Sequence, residues 1–252
     1  MLCVVVPTYN EASNIQELLR SLFALNLTDL YVFVIDDSSP DGTAFIAEEM
    51  SSELGDRVFV FRRPNKDGLG TAYLFGFAKV FEMFSHQYTA FHIAQMDADF
   101  SHNPNYIPSM LELLEKYEIV IGSRYVSSGS SDDREALSRR ILSRFGNQCI
   151  RWISGVNVND VTSGFKVFRS EALAQIDRDI IRCKGFGFQA EMAYQCHEMG
   201  FQVYEFPIEF ADRINGRSKM SKSIIFEALW KISMMRLKSV FNEFKVKAAK
   251  VS

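Results

Sequence analysis

The stretch FHIAQMDAD, residues 91–99, joins an apolar run directly to two carboxylates that are one residue apart. The run predicts a buried strand, and side chains at positions i and i+2 of an extended segment lie on the same side. Two like charges held so close repel each other unless a positive group lies between them. A divalent cation such as Mg²⁺ or Mn²⁺ meets that need and commonly shares its site with substrate phosphates. The alternative is a solvated turn in which Asp97 caps a helix.

Apolar runs followed by polar residues recur through the first half of the chain and alternate with helical patterns. Strands are predicted at Leu2–Val6, Leu30–Ile35, Val58–Phe61, Phe91–Met96 and Glu118–Ile121, and helices at Asn14–Leu25, Ala44–Leu54, Thr71–Phe84 and Tyr106–Tyr117. Strands that are apolar throughout belong to a mostly parallel sheet with helices on both faces. We therefore expect a single α/β domain that binds its ligands at the carboxyl ends of the strands.

The second half of the chain is less regular. Its Ser/Gly/Asp-rich residues 127–133 predict a mobile loop, and Ser163-Gly164 predicts a turn that leads into a strand. The other predicted elements are helices at Leu137–Ile153, Gln189–Met199 and Ile224–Lys250 and a strand at Gln202–Phe206.

The composition excludes several classes of protein. A net charge of −3 over 252 residues gives no sign of a nucleic-acid partner. The four cysteines form no C-x-x-C pair, so we expect neither disulfides nor a zinc site, and a cytosolic compartment. The apolar run at Leu2–Val6 is too short for a signal peptide, and no run approaches the roughly 20 apolar residues that span a bilayer.

Two motifs that follow the first two predicted strands are typical of a nucleotide site. PTYNE, residues 7–11, offers a tyrosine to stack on a base and a glutamate to accept its hydrogen bonds. DDSSPDGT, residues 36–43, places acidic residues where α/β folds bind ribose or base edges. The alternatives are a capped helix start and turn chemistry. Gly68-Leu69-Gly70, before a helix, is either a phosphate cradle or a simple loop.

Four basic residues stand after the acidic motifs: Arg124, Arg139, Arg213 and Lys219. Each alone is typical of a solvated charge. Together they can anchor a second anionic substrate, because arginine binds phosphate through two N–H groups and lysine binds it as a point charge. The predicted C-terminal helix carries lysines every seven residues opposite its apolar side. It therefore favours either an anionic membrane surface or packing on the core.

In this order, the motifs resemble those of the polyprenol-phosphate (dolichol-phosphate) mannose synthases of glycosyltransferase family 2. The matching strings are PTYNE (7–11), DDSSPDGT (36–43), GLGTAY (68–73), MDADFSHNP (96–104), GSRYV (122–126), SRRILS (138–143), DVTSGFKVFR (160–169), KGFGFQAE (184–191), PIEF (207–210) and DRINGRSK (212–219). They extend over nearly the whole chain. The resemblance implies a GT-A (Rossmann-like) glycosyltransferase domain, which we place at residues 1–220, with an amphipathic basic helix at residues 221–252.

The resemblance also implies a role for each matching position. The guanosine of GDP-mannose would contact Pro7, Tyr9, Glu11, Ile35 and Asp37. Asp97 and Asp99 would serve Mg²⁺ or Mn²⁺ and the diphosphate, with Ala98 alongside and Ser101 as a weaker metal ligand that water supplements. The lipid phosphate would meet Arg124, Arg139 and Ser143, which with Asp99 form the catalytic set. The donor diphosphate would contact Arg213 and Lys219.

The implied reaction is transfer of mannose from GDP-mannose to a polyprenol or dolichyl phosphate. The acceptor is already anionic and needs no general base, so a single displacement would give a β-linked mannosyl phosphate. One alternative is another polyprenol-phosphate transferase that uses UDP-glucose, UDP-GlcNAc or an amino-sugar donor. Another is a non-catalytic nucleotide-binding subunit of a membrane complex.

Some relatives append transmembrane helices to this domain, and we expect this chain to be of the type without them. Such a protein would reach its lipid through a basic surface or a membrane-anchored partner subunit. We therefore expect a peripheral protein on the cytosolic face of a membrane. That membrane would be the endoplasmic reticulum in a eukaryote and the plasma membrane in a prokaryote.

Overall fold

The computed structural model describes residues 1–131, 137–177, 181, 183, 185, 187–210, 230, 231 and 233–237, without the side chains of residues 131 and 137–142. The strands are β1 Leu2–Thr8, β2 Leu30–Asp36, β3 Val58–Arg62, β4 His92–Gln95, β5 Ile119–Ser123, β6 Ser130–Ser131, β7 Lys166–Arg169, β8 Val203–Pro207 and β9 Glu209–Phe210. The helices are α1 Ile15–Phe23, α2 Thr43–Glu53, α3 Leu69–Phe84, α4 Ile107–Leu113, α5 Leu137–Ser154, α6 Ser170–Gln175 and α7 Gly187–Glu198, with a 3₁₀ turn at Pro104–Tyr106.

Within the described residues, seven strands form one sheet in the order β3-β2-β1-β4-β7-β5-β8. Neighbouring strands are parallel except at β7, which runs antiparallel to both β4 and β5. In register, Lys166 of β7 lies between Gln95 of β4 and Ile121 of β5. The mostly parallel sheet expected from the sequence is confirmed.

Alternate residues of each strand face two separate apolar layers. Cys3 and Val5 of β1 belong to a core cluster that includes residues of α3 and α7. Leu2, Val4 and Val6 belong to a second cluster that includes residues of α1, α2 and α4. Helices therefore cover both faces of the sheet, as a parallel sheet requires.

The helices form where the apolar spacing matches a helical period. In α1, Ile15, Leu18, Leu19 and Leu22 recur at i, i+3, i+4 and i+7, and all four are buried. Gly70, in the first turn of α3, has a packing role: a Cβ there would lie 2.5 Å from the Cys183 carbonyl oxygen and 2.8 Å from Phe188 Cβ. Close approach of α3 to the segment around α7 thus accounts for Gly70.

The structure corrects the predicted elements in a few places. The helix predicted at 106–117 is shorter: a 3₁₀ turn at Pro104–Tyr106 precedes α4, which begins at Ile107 and ends at Leu113. The loop predicted at 127–133 contains β6, which pairs with β9, whereas residues 132–136 lie outside the described residues. Helix α6 was not predicted, because six residues carry too little periodicity. Of the predicted C-terminal helix, residues 230, 231 and 233–237 are described and helical; the boundary at 220 lies outside.

In the part of the chain that the structure describes, none of the helices combines the length and the apolar character that a bilayer crossing requires.

Replacing Gly76 with alanine tests the contact between α3 and the sheet. A Cβ there would collide with Val5 and press on Ile35 Cγ1 at 3.1 Å. We expect Gly76→Ala to lower the free energy of unfolding by about 1–3 kcal/mol through overpacking, even though alanine favours a helix by up to about 1 kcal/mol. Urea denaturation measures the change. Ala78→Gly, at an exposed position of the same helix, is the control for propensity alone. Unchanged or higher stability of Gly76→Ala would contradict the packing assignment.

Candidate active site

The polar motifs lie together at the edge where β1, β2, β3, β4, β5 and β8 end. Because β7 runs in the opposite direction, the turn that precedes it, residues 160–165, lies at this same edge. The sequence had placed ligands at the carboxyl ends of the strands, and the observed topology assembles the motifs there.

Asp97, Ala98 and Asp99 follow β4, and both carboxylates are held by specific donors. The hydroxyl of Tyr73, on α3, donates to Oδ1 of Asp97 at 2.9 Å. The hydroxyl and the backbone N–H of Ser101 donate to Oδ1 of Asp99 at 2.6 and 3.1 Å. Ala98 and Asp99 are buried, whereas Asp97 is half-buried. Ser101, expected as a metal ligand, thus orients Asp99 through its proton.

His102 supports the same segment as a neutral imidazole. Its Nδ1 accepts a hydrogen bond from the backbone N–H of Asp97 at 3.0 Å, so this nitrogen carries no proton. Burial lowers the pKa of His102, and this outweighs the opposing effect of the charges on Asp97 and Asp99. The ring stacks on Phe165 with a centroid distance of 5.2 Å. His102 therefore holds the loop in place instead of exchanging protons.

The chemistry of the Asp97 and Asp99 donor set fits a divalent cation. The described residues contain no group of three or more His, Cys, Asp or Glu that could hold a metal ion. The described part of the protein therefore offers two carboxylates, and substrate phosphates and water would complete the coordination, as is common for Mg²⁺. Tyr73 bonds Oδ1 of Asp97, and Oδ2 accepts no hydrogen bond from the described residues. Oδ2 could therefore bind a cation.

The loops after β1 and β2 are fastened to each other by side chains. The backbone N–H groups of Asn10, Glu11 and Ala12 donate to Ser39 Oγ, Thr43 Oγ1 and Asp41 Oδ2 at 3.0, 2.9 and 3.0 Å. Asp36, itself buried, accepts from Thr8 and Ser39. The two predicted nucleoside motifs therefore form one rigid unit.

The predicted nucleoside residues lie on this unit with different exposure. Ile35 is fully buried in the apolar core, so its side chain is not available to a ligand and only its backbone can make contact. Pro7 is paired with Ile35 in register. The ring of Tyr9 is covered by Lys66, whose Nζ lies 3.2 Å from the ring centroid. Glu11 Oε2 accepts from the Asn14 amide at 2.8 Å.

Asp37 forms a buried ion pair with Arg63, Nε to Oδ1 2.9 Å. Burial raises the pKa of the Asp37 carboxyl, and the neighbouring Asp36 adds to this, whereas the Arg63 charge opposes it. Arg63 also donates to Thr71 at the start of α3 at 3.0 Å, so it ties the nucleoside loops to the GLGTAY segment.

Arg124, expected to bind the acceptor phosphate, is held by Asp160. Its Nε and one terminal nitrogen each lie 2.8 Å from a carboxylate oxygen of Asp160, and its backbone N–H donates to the same group. Burial alone would raise the pKa of Asp160, but the charge and hydrogen bonds of Arg124 outweigh it and keep the pKa below its usual value. The backbone N–H of Asp160, in turn, donates a hydrogen bond to Glu205 Oε1 at 2.9 Å.

Ser143, a second predicted acceptor residue, lies beside Tyr125. Ser143 Oγ lies 3.0 Å from the Tyr125 hydroxyl, and Arg124 and Arg144 flank the Tyr125 ring at 5.0 and 5.5 Å. Arg139 belongs to α5, but its side chain lies outside the described residues. Arg213 and Lys219 also lie outside them.

Four residues of this edge were not predicted as functional: Tyr73, Asp160, Lys166 and Gln189. Lys166 is 1% exposed, donates to Ser163 O and Gln189 Oε1, and lies behind the Asp97 loop. Gln95, two residues before Asp97, donates to Gly164 O at 3.0 Å and to Gln189 Oε1 at 2.8 Å. A lysine inside the apolar run of residues 165–168 was the one signal in the sequence that indicated this network.

Comparisons with known proteins agree with the geometry. A sequence profile described as Glycosyl transferase family 2 matches residues 3–177. The polyprenol monophosphomannose synthase of Mycolicibacterium smegmatis is 36% identical over 231 residues, which is 91% of this chain and 84% of that protein. The undecaprenyl-phosphate mannosyltransferase of Micrococcus luteus is 38% identical over 226 residues, which is 89% of each chain.

The fold also resembles that of a solved glycosyltransferase. A glucosyl-3-phosphoglycerate synthase from Mycobacterium tuberculosis, in complex with Mn²⁺, UDP-glucose and phosphoglyceric acid, aligns with a TM-score of 0.62 at 18% identity over 92% of this chain and 79% of that chain. The same protein with Mg²⁺ and UDP aligns with a TM-score of 0.62 at 17% identity over 92% and 78%. The GT-A fold expected from the sequence is thereby confirmed.

The buried Lys166 predicts a dependence of stability on pH. Burial lowers its pKa from 10.5 to about 7, against the opposing effect of Cys196, Asp160 and Asp97. Above pH 7 the unfolded chain therefore binds a proton that the folded chain lacks, and stability rises with pH. We expect the free energy of unfolding to rise by at most about 1.4 kcal/mol per pH unit between pH 7 and 8.5. Below pH 7 Lys166 is protonated in both states, and this rise disappears.

Urea unfolding of the wild type and Lys166→Met across this window measures the difference. The variant should lack the rise, whereas Lys116→Met, at an exposed lysine, should retain it. Parallel curves for the wild type and Lys166→Met would contradict the assignment.

Proposed function

The chain belongs to glycosyl transferase family 2, and we propose from this premise that it transfers mannose from GDP-mannose to a polyprenyl phosphate. The observation that carries the proposal is the pair Asp97 and Asp99 at the end of β4, beside the fastened loops that follow β1 and β2. The two relatives described above are a polyprenol monophosphomannose synthase and an undecaprenyl-phosphate mannosyltransferase.

The nucleoside diphosphate would bind across the ends of β1, β2 and β4. The loops around Tyr9 and Asp37 are tied to each other by hydrogen bonds, which would lower the cost of ordering them when the donor binds. Glu11 and Asp37 supply carboxylates that can accept the N–H groups of guanine, and Lys66 supplies a cation beside the Tyr9 ring. These features support a GDP donor.

Asp97 and Asp99 would hold Mg²⁺ or Mn²⁺ together with the diphosphate. When bound, the cation supplies positive charge that offsets the charge that develops on the leaving GDP. The protein's own contribution is orientation, since Tyr73 and Ser101 each fix one carboxylate oxygen. Arg213 and Lys219, outside the described residues, are proposed to contact the same diphosphate.

The acceptor phosphate would bind near Tyr125, where Arg124, Ser143 and Arg144 meet. We propose Arg139 for the same site from its place on α5. A phosphate oxygen is already anionic at neutral pH, so no side chain has to remove a proton. The neutral, internally bonded His102 agrees with this requirement. Direct attack on the anomeric carbon then inverts its configuration and gives a β-linked product.

Replacing Asp99 with asparagine tests the proposed metal and donor site. The amide retains the shape and an acceptor for Ser101, but it removes the negative charge that attracts the cation. We expect mannose transfer from GDP-mannose to fall about 100-fold or more, for a loss of several kcal/mol of transition-state stabilisation. Radiolabelled transfer to a short polyprenyl phosphate measures it. Asp29→Ala, an exposed carboxylate at the opposite edge of the sheet, is the control. Near-normal turnover of Asp99→Asn would overturn the site assignment.

UDP-glucose, UDP-GlcNAc and an amino-sugar nucleotide remain the alternative donors, and the same assay with each of them separates the candidates. A donor other than GDP-mannose that is used faster would replace the sugar in the proposal and leave the reaction class intact.

A lipid acceptor implies contact with a membrane surface, and we propose that α5 provides it. Phe145 and Trp152 are 67% and 83% exposed, and they stand two turns apart on one side of the helix. The C-terminal helical residues Trp230, Met234 and Leu237 are also exposed at i, i+4 and i+7. Arg236 joins the two helices by donating to the Ile153 carbonyl at 2.6 Å. Exposed aromatic residues beside arginines are typical of a helix that lies in a membrane interface.

The position of α5 relative to the acceptor residues supports this contact. Ser143 lies next to Tyr125, and Trp152 lies about 14 Å farther along the helix axis. A lipid whose phosphate is bound at Tyr125 can therefore keep its chain in the bilayer below α5. This would place the protein peripherally on the cytosolic face of a membrane, with or without an anchored partner subunit.

Removing the two aromatic residues of α5 tests the membrane contact. We expect Phe145→Ser and Trp152→Ser each to reduce sedimentation with anionic phospholipid vesicles about tenfold, since each removes a large apolar side chain from the interface. Phe45→Ser is the matched control, because Phe45 is 57% exposed but lies on α2, on the opposite face of the sheet. Equal loss in all three variants, or none in any, would contradict a specific role for α5.

A further inference from the structure

Tyr73 is a fully buried residue of α3 whose hydroxyl reaches the active-site edge. Its side chain has 0% exposure, and its ring stacks on Phe77 and Phe188 at centroid distances of 6.1 and 5.8 Å. A phenylalanine would fill the same space and keep the same ring contacts. Packing therefore accounts for the ring and leaves the hydroxyl to be explained, because buried polar groups are retained where they have a partner.

The hydroxyl has Asp97 as its partner, and it fixes one of the two carboxylate oxygens. It donates to Oδ1 at 2.9 Å. Oδ2 lies on the side of Gly164, where a Cβ would be 3.6 Å away, and it accepts no hydrogen bond from residues that the structure describes. The backbone N–H of Asp97 is fixed separately by His102. In the carboxylate of Asp97, Oδ1 is thus hydrogen-bonded, and Oδ2 has no donor among the described residues.

The other carboxylate of the pair is held in the same way. Ser101 has the corresponding position on Asp99, with its hydroxyl on Oδ1 at 2.6 Å. Each of the two carboxylates has its own hydroxyl, and the two hydroxyls come from different elements.

We propose that Tyr73 is a positioning residue for the cation and the donor diphosphate, because its hydroxyl holds Oδ1 of Asp97 and leaves Oδ2, which would serve the cation. This inference rests on the proposed function and deepens it, since it assigns to the start of α3 a role in cation binding. A ligand that is already oriented loses less rotational freedom when the cation arrives. Groups that orient metal ligands typically contribute 10–100-fold to metal affinity or activity.

The test is Tyr73→Phe, which removes one oxygen atom and leaves the ring in place. Mn²⁺ binding is measured with GDP present, by the electron paramagnetic resonance signal of free Mn²⁺. We expect the affinity for Mn²⁺ to fall about 10–100-fold. In the transfer assay, the Mn²⁺ concentration that gives half-maximal rate should rise by a similar factor, whereas the KM for a short polyprenyl phosphate should stay unchanged.

Tyr31→Phe is the matched control. Tyr31 also packs its ring in an aromatic cluster, against Phe59 and Phe84, but it stands at the start of β2, at the opposite edge of the sheet. This variant should bind Mn²⁺ as the wild type does. If Tyr73→Phe binds Mn²⁺ within twofold of the wild type, the proposal is wrong. A lower melting temperature with unchanged Mn²⁺ affinity would assign the hydroxyl a purely structural role and would also overturn it.

Different results would contradict the proposed function and the role of Tyr73. A wild-type protein that binds Mn²⁺ with GDP but transfers no mannose would contradict the proposed function, whereas the binding comparison between Tyr73→Phe and Tyr31→Phe would still decide the role of Tyr73. A wild-type protein that transfers mannose while all three forms bind Mn²⁺ equally would contradict the role of Tyr73 alone.

Discussion

The reversed strand β7 is the constraint on which the arrangement of the active site depends. By running antiparallel between β4 and β5, it brings the turn at residues 160–165 to the edge where the parallel strands end. That one turn places Gly164 beside Asp97 and Asp160 against Arg124. The proposed metal side and the proposed acceptor side are therefore joined by five residues of chain.

The carboxylates at this edge share a second feature, which is that each is held in place by hydrogen bonds from the protein. Asp36 accepts from Thr8 and Ser39, Asp97 from Tyr73, and Asp99 from Ser101. Leaving a buried acceptor without such donors costs roughly 1–3 kcal/mol or more for a charged group. These donors stabilise the negative charges in the folded protein and fix the direction of each carboxylate.

The sequence predicted those parts of the structure that depend on local pattern. Apolar runs located β1–β5, and the position of Asp97 and Asp99 after such a run predicted them as the centre of the candidate site. The sequence could not predict contacts between residues that are distant along the chain, such as Arg124 and Asp160, which are 36 residues apart. Lys166 shows why: a lysine in a strand ordinarily indicates a side facing water, and only the insertion of β7 between β4 and β5 buries it.

The pairing of Arg124 with Asp160 changes how the acceptor phosphate must be bound. The side chains are 16% and 0% exposed, and both oxygens of Asp160 contact the guanidinium, so the charge of Arg124 is largely compensated within the protein. Removing Asp160 from such a pair would leave a buried charge alone, which is strongly unfavourable. In the proposed acceptor site, Arg124 would therefore act as a donor of fixed direction, and most of the net positive charge for a phosphate would come from other residues. Arg144, on the other side of the Tyr125 ring, belongs to α5, which also carries Arg139, and we propose both residues for that charge.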